Sequence, residues 1–266
     1  MASRDERMDL GWDLLEQGEY EGAIEIAEAL LEESADDLEA MFLAGSALFE
    51  IGEHEEAAER LRQVIRLEPA NAAARLTLAA VLYETCDFDE ALGEVGSAMA
   101  SEPESAYAQY LNGLLLDMKG RHDEADACFL KASKLDPEHY REPSSLTRSE
   151  FERVVEQALA TLPAQFLDRL GNVPILIEEV PGPALLASLE DPEPDLLGLF
   201  VGTPLPEASL QDLPRAPDAV YLFKRNLERA ASDREELVEE IRVTLLHEIG
   251  HFLGLDEDDL EEAGYA

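Results

Sequence analysis

Basic residues are scarce in this chain of 266 residues, which has 20 Lys and Arg against 60 Asp and Glu. The formal net charge at pH 7 is therefore −40. A surface this negative repels phosphate backbones and anionic lipid headgroups, so nucleic acid and membrane surfaces are poor partners. With 46% hydrophobic residues, the chain still has enough apolar material for two modest globular domains or one large one.

Cysteine is also rare, and Cys86 and Cys128 lie too far apart in the sequence to form a CxxC pair. This spacing supports neither a disulfide framework nor a cysteine metal site. No apolar run approaches the length of a membrane span, and the first residues lack the apolar core of a signal peptide. We therefore expect a cytoplasmic protein, while its oligomeric state does not follow from the sequence.

The first half of the chain repeats itself at a step of 34 residues, which separates Pro69, Pro103 and Pro137. The same step separates four alanines and four turn residues. These are Ala23, Ala57, Ala91 and Ala125, and Gly18, Gly52, Cys86 and Gly120. Each unit is typical of two amphipathic helices that turn at the glycine and pack closely at the alanine, with proline ending the second helix.

This pattern resembles the tetratricopeptide repeat, which has the same period. The resemblance predicts four helix–turn–helix repeats over residues 6–139, stacked into a curved α-helical solenoid. The repeats are expected at about residues 6–39, 40–73, 74–107 and 108–141. The first repeat differs from the others in having Ala35 where they have proline.

In that family the first helix of each repeat lines a concave groove that binds a protein or peptide. The resemblance places in this groove Trp12, Phe42, Phe49, Tyr83, Tyr107 and Tyr110, together with Glu16, Glu50 and Glu84. The alternative is that several of these aromatic rings pack between repeats. Because no Lys or Arg stands at these positions, the acidic tails of chaperones do not fit as ligands. A basic or apolar peptide fits better.

The repeat period is lost after Pro137, and residues 147–266 form the second predicted domain. Short strands are predicted over residues 172–180, 198–202 and 219–224, with a proline-rich loop and one short helical turn between the first two. The capping boxes Thr147–Glu150 and Ser232–Glu235 open two helices, which should end near Leu162 and at Gly254. We therefore expect a small α+β unit.

The second of these helices carries an HExxH motif, with His247, Glu248 and His251. Histidines four residues apart project from the same face of a helix, so both imidazoles can bind one metal ion. Glu248 stands beside them, where it can act as general base toward a water activated by the metal. The alternative is a pair of ordinary histidines on an amphipathic helix.

A third metal ligand is expected among the residues shortly after His251; otherwise the site has no third ligand. Too few residues follow His251 for a second long helix to supply a distant glutamate, and no methionine-bearing turn can follow, since the last methionine is Met118. Gly254 is a position at which the helix can end and the chain reverse. Glu257 then lies where a returning ligand would be needed.

The second domain also resembles the minimal zincin-like metallopeptidases of bacteria, over roughly residues 149–262 and including the segment Leu197–Leu205. In that family HExxHxxGxx is usually followed by aspartate, where this chain has Glu257, which is one methylene longer. The resemblance implies Zn²⁺ bound by His247, His251 and Glu257. The neighbouring acids Asp256 and Asp258 are alternatives for the third ligand if the turn is offset by one residue.

The function expected from these features is zinc-dependent peptide-bond hydrolysis, with Glu248 as general base and the repeats recruiting a protein or peptide. Residues 219–224 are the predicted sheet edge at which a substrate would add as a strand. The alternative is a non-catalytic adaptor with a structural or relict metal site. Tyr221, Arg242 and Tyr265 are candidates for stabilising the oxyanion, although structural roles would also explain them.

Overall fold

The computed structural model describes residues 3–142, 146–162, 170, 173–202 and 218–253. The chain divides into two compact units, one of residues 1–141 with 190–192 and one of residues 142–189 with 193–266. Within the described part of the chain, no helix is both long enough and apolar enough to cross a membrane.

Eight helices over residues 3–142 form four consecutive pairs in the first unit. They are α1 (Arg4–Glu16), α2 (Tyr20–Glu33), α3 (Leu38–Glu50), α4 (His54–Leu67), α5 (Ala72–Glu84), α6 (Phe88–Ser101), α7 (Ala106–Met118) and α8 (His122–Leu135). Each helix packs on the next one along the chain, which confirms the predicted helical solenoid. The four alanines of the repeat are fully buried, as close packing of the paired helices requires.

The first helix of each pair is capped by a residue that follows the same 34-residue step. The side chains of Ser3, Asp37, Asn71 and Ser105 each accept a hydrogen bond from the backbone N–H three residues later, at 2.9–3.2 Å. Such caps satisfy a helix N–H that has no partner within the helix. The sequence contains this signal at the same step as the alanines, glycines and prolines, but these caps were not predicted.

The turn between paired helices requires a left-handed backbone conformation. Gly18, Gly52 and Gly120 have φ of 77°, 80° and 72°, and Cys86 has the same conformation with φ of 62°. Glycine adopts this region without strain because it has no Cβ, whereas cysteine does not. The third repeat therefore keeps the turn at a conformational cost.

Helices and short strands alternate in the second unit. The elements are α9 (Arg148–Thr161), β1 (Ile175–Glu178), α10 (Pro183–Leu186), β2 (Gly198–Val201), β3 (Ala219–Phe223), α11 (Lys224–Ala230) and α12 (Arg234–Leu253). The three predicted strands, the helical turn in the proline-rich loop and the two main helices are confirmed. Helix α11 was not predicted, because its seven mostly polar residues show no clear hydrophobic period.

The strand order in the sheet is β1-β3-β2, with β3 parallel to β1 and antiparallel to β2. β3 is therefore the central strand, and the prediction that residues 219–224 form a free edge is wrong. The strand is almost entirely buried, with Val220 and Leu222 0% exposed, because it pairs on both sides. β1 and β2 are the two edge strands of the described sheet.

One hydrophobic core holds the second unit together. Phe151 and Val154 of α9, Val220 and Leu222 of β3, and Leu245 of α12 belong to it, and all are 0% exposed. Side chains alternate between the two faces of a strand, so Val220 and Leu222 define the face of the sheet on which both long helices pack. This packing places α12 against the two neighbouring strands β2 and β3.

The predicted capping box of α9 is confirmed, and Glu150 Oε2 accepts the backbone N–H of Thr147 at 2.9 Å. The cap of α12 lies one residue later than predicted. The Asp233 carboxylate accepts the N–H groups of Glu235 and Glu236, at 2.8 and 3.0 Å. Glu236 in turn accepts the N–H of Ser232 at 2.6 Å. The short Asp side chain caps in the same way as Ser, so local spacing alone does not choose between them.

Candidate metal centre

His247 and His251 point at a common position from one face of α12. Their Nε2 atoms are 2.9 Å apart, and the rings stand nearly edge to face at 87°. Two nitrogens at Zn–N distances of about 2.0–2.1 Å in a tetrahedral site would be separated by about 3.4 Å. The observed separation of 2.9 Å is about 0.5 Å shorter than this value, so a small ring rotation would bring the pair to the spacing for one zinc ion.

The third predicted ligand, Glu257, lies outside the described residues, as do Gly254 and the alternatives Asp256 and Asp258. Over the ranges that the structure describes, no group of three or more His, Cys, Asp or Glu side chains forms a metal site. The described structure therefore brings together two of the three proposed ligands.

Glu248 reaches from α12 to the edge strand β2. Its Oε2 accepts the backbone N–H of Phe200 at 2.5 Å, and the residue is only 6% exposed. The Phe200 ring also packs on Phe252 of α12, with ring centroids 5.3 Å apart. The proposed general base is thus enclosed between α12 and β2.

The backbone groups of β2 face alternately toward β3 and toward the outer edge, which no strand of the described residues covers. Phe223 N donates to Leu197 O at 2.9 Å, and these residues are direct partners in the continued register. Because hydrogen-bonded and non-hydrogen-bonded pairs alternate in an antiparallel ladder, Gly198 and Phe200 turn their N–H and C=O groups outward. The N–H that Glu248 accepts is one of these outward groups.

Gly198 allows α12 to pack this closely on β2. A Cβ at this position would lie 2.5 Å from Thr244 Cγ2 and 3.0 Å from Tyr221 O, both well inside van der Waals contact. The glycine is therefore required for the approach of helix and strand rather than for a turn. Gly198 belongs to the segment Leu197–Leu205, but the sequence did not predict this structural role for it.

Helix α11, which the sequence did not reveal, holds the segment that leads into β2. Asn226 Nδ2 donates to Pro194 O at 2.9 Å and to Leu196 O at 2.7 Å. On the same helix Lys224 pairs with Glu228 at 3.0 Å, and both side chains are at least nine-tenths buried. Burial raises the pKa of the Glu228 carboxyl, which also accepts the N–H of Leu146 at 2.8 Å.

Tyr221 and Arg242 are the described candidates for oxyanion stabilisation. Tyr221 alternates with Val220 and Leu222, so its side chain lies on the face of the sheet opposite α12. Arg242 forms a bidentate ion pair with Glu239 at 2.5 and 2.8 Å, which lowers the pKa of that carboxyl. Tyr265 lies outside the described residues.

The aromatic residues assigned to the groove of the first unit mostly pack against neighbours. Trp12 contacts Phe42, Phe49 contacts His54, Tyr83 contacts Phe88, and Tyr110 contacts Phe129 and Tyr140, with ring centroids 5.0–5.9 Å apart. Of these contacts, Trp12–Phe42 joins two repeats, as the packing alternative requires, and the others lie within one repeat. Tyr107 is different, since it is 39% exposed. Glu16 and Glu50 are also exposed, and Glu84 is half-buried.

Family models match both halves of the chain. The tetratricopeptide repeat matches residues 8–59, 48–115 and 106–139. The zincin-like metallopeptidase family matches residues 170–265, which include the HExxH helix. No curated protein matches the chain.

Solved structures similar to the chain include tetratricopeptide repeat proteins. The crystal structure of MamA is 23% identical, covering 56% of this chain and 81% of that chain, with a TM-score of 0.44. MamA from Desulfovibrio magneticus is 22% identical, covering 59% of this chain and 82% of that chain, with a TM-score of 0.46. A thermophilic TPR protein in Thermus thermophilus, TTC0263, is 21% identical, covering 63% of this chain and 90% of that chain, with a TM-score of 0.47.

Proposed function

Because the chain carries tetratricopeptide repeats followed by a zincin-like metallopeptidase domain, we propose that it is a zinc-dependent metallopeptidase whose repeats recruit a protein or peptide partner. The observation that supports this most directly is the pair of Nε2 atoms of His247 and His251, 2.9 Å apart on one helix face. Glu248 is buried beside them.

In this proposal His247, His251 and Glu257 hold Zn²⁺, which would supply a Lewis acid and lower the pKa of a bound water. Glu248 accepts the proton of the attacking water and passes it to the leaving amine. Burial between α12 and β2 keeps bulk water away from this carboxylate and holds it close to the histidines.

The substrate adds to the free edge of β2. The outward N–H and C=O groups of Gly198 and Phe200 supply backbone hydrogen bonds, which are the usual source of affinity when a peptide extends a sheet. This edge lies beside the metal helix, whereas β3 is already paired on both sides. The proposed substrate strand therefore runs along β2.

The partner of the repeats is a basic or apolar segment that contacts Tyr107 in the concave groove. Burial of the hydroxyl and the nearby negative charges, Glu50 and Glu84 among them, raise the pKa of Tyr107 to about 12. The residue as a whole is nevertheless 39% exposed. An accessible aromatic ring next to carboxylates suits a cationic side chain better than an acidic one.

Zinc content and hydrolysis of a peptide mixture, measured on the same purified protein, test the metallopeptidase proposal. We expect about one zinc per wild-type chain, loss of zinc in His247→Ala, and retained zinc with no hydrolysis in Glu248→Gln. His139→Ala is the matched control, since this exposed histidine lies in the first unit. Wild-type protein without metal would refute the proposal, while bound zinc without hydrolysis would favour the adaptor.

A further inference from the structure

A pocket of about 240 Å³ opens between β2 and α12, next to the histidine pair. Pockets for drug-sized ligands have volumes of about 300–1,000 Å³, so this one suits a single side chain. Its lining includes Leu197 and Gly198 from the strand side, and Glu240, Val243, Thr244 and His247 from the helix.

The helix side of the pocket is one continuous stripe of α12. Glu240, Thr244 and His247 are separated by four and three residues, so they lie on the same face of the helix. With a rise of 1.5 Å per residue, Glu240 and His247 are about 10 Å apart along the helix axis. The pocket therefore extends from the proposed metal site toward Glu240.

The walls are apolar in the middle and negatively charged at both ends. Leu197 and Val243 supply aliphatic surface, while the acidic residues Glu240 and Glu248 both belong to the lining. Glu240 is half-buried, and no Lys or Arg is among the described residues that line the pocket. An acidic side chain would meet like charge here, whereas a basic one finds aliphatic surface for its stem and a carboxylate for its head.

Gly198 connects this pocket to the substrate edge. Gly198 lines the pocket and packs closely on Thr244, since a Cβ would lie 2.5 Å from Thr244 Cγ2. Its N–H and C=O groups point to the free edge, along which an added strand would lie. A substrate residue that pairs beside Gly198 is thus next to a residue that lines the pocket.

We propose that this pocket is the specificity pocket of the enzyme and takes the side chain of a Lys or Arg residue of the substrate. The methylene groups pack on Leu197 and Val243, and the cation pairs with Glu240. Glu240 is then a specificity-determining residue. The assignment rests on the proposed metallopeptidase function, because it places the occupant on a substrate strand at the β2 edge.

The test uses zinc-loaded full-length protein and peptide hydroxamates that are identical except for one side chain, which is Lys, norleucine or Glu. Hydroxamates bind zinc directly, so affinity is measured without turnover. We expect the Lys compound to bind wild type about fivefold more tightly than the norleucine compound, as for a partly exposed ion pair. Glu240→Gln should abolish this preference, and Glu240→Lys should shift it toward the Glu compound.

Glu235→Gln is the matched control, because it removes the same charge from an exposed position on the same helix. It should leave the Lys preference unchanged. Equal binding of the Lys and norleucine compounds to wild type would overturn the specificity proposal. So would a Lys preference that survives Glu240→Gln.

A failure of the zinc proposal looks different, since no hydroxamate would then bind, whatever its side chain. In that case unmodified Lys and norleucine peptides are titrated while the NMR signals of the Val243 methyl groups are followed. A shift caused by the Lys peptide in wild type and lost in Glu240→Gln supports the pocket assignment. The absence of any shift overturns it.

Discussion

A hydrogen bond from the backbone N–H of Phe200 to the carboxylate of Glu248 joins strand β2 to helix α12. The N–Oε2 distance is 2.5 Å, and the two residues are 48 positions apart in the chain. The same N–H points to the free edge at which we place the substrate strand. Glu248 and an added strand therefore compete for one donor, and substrate binding would release the carboxylate of the proposed general base.

Replacing Glu248 with alanine should speed hydrogen exchange at the Phe200 amide. The substitution removes the acceptor, so this N–H becomes open to water while the rest of β2 stays paired. We expect an increase of at least about tenfold, which corresponds to about 1.4 kcal/mol of lost protection. Residue-resolved exchange by NMR gives the rate, with the Leu199 amide as the internal control. An unchanged Phe200 rate in Glu248→Ala would contradict the hydrogen bond.

Adding a methyl group at Gly198 should push β2 away from α12. A Cβ there lies 2.5 Å from Thr244 Cγ2, so Gly198→Ala should destabilise the second unit by about 1–3 kcal/mol. Thr244→Ser removes that methyl group, and the double variant should recover part of the loss, although Tyr221 O at 3.0 Å remains. Urea unfolding of the four proteins gives the coupling energy. Strict additivity would show that the two groups do not meet.

Relieving the left-handed conformation of Cys86 should stabilise the first unit. Cys86→Gly keeps the turn and removes the Cβ that disfavours φ of 62°, so we expect a gain of up to about 1 kcal/mol. Gly52→Ala is the reverse change at the equivalent turn, where a Cβ meets no atom closer than 3.9 Å. It should cost about 1 kcal/mol through the backbone alone. A lower urea midpoint for Cys86→Gly would rule out strain at this turn.

The ion pair between Arg4 and Asp37 should make the first two repeats more stable above the range in which Asp37 titrates. Two hydrogen bonds of 2.7 Å from Arg4 hold the pKa of the Asp37 carboxyl below its usual value of 3.8. The stabilisation is complete above that value and is lost as the pH falls through the lowered pKa. Because Arg4 is 41% exposed, the pair contributes about 1 kcal/mol or less.

Asp37→Asn separates this pair from the helix cap, because asparagine still accepts the N–H of Ala40. The variant should be less stable than wild type at about pH 6, and this difference should shrink at about pH 2, as the wild-type carboxyl takes up protons. Urea midpoints at both pH values measure the difference. An equal loss at the two pH values would assign the effect to capping.

Local patterns were enough to predict most of the secondary structure. The 34-residue step of alanine, glycine and proline predicted the paired helices, and the HExxH spacing predicted two histidines on one helix face. Both depend on residues a few positions apart, whose relative placement follows from helix geometry. The cap of α12 was placed one residue early because serine and aspartate are interchangeable there.

The sequence by itself determined the repeat solenoid, the α+β character of the second unit and the convergence of His247 and His251. Only the tertiary structure decided that β2 is an edge strand, that Glu248 bonds to Phe200, and that Gly198 leaves room for Thr244. These relations join residues far apart in the chain. They depend on which faces the core buries and which strand remains unpaired, and periodicity within one element does not contain that information.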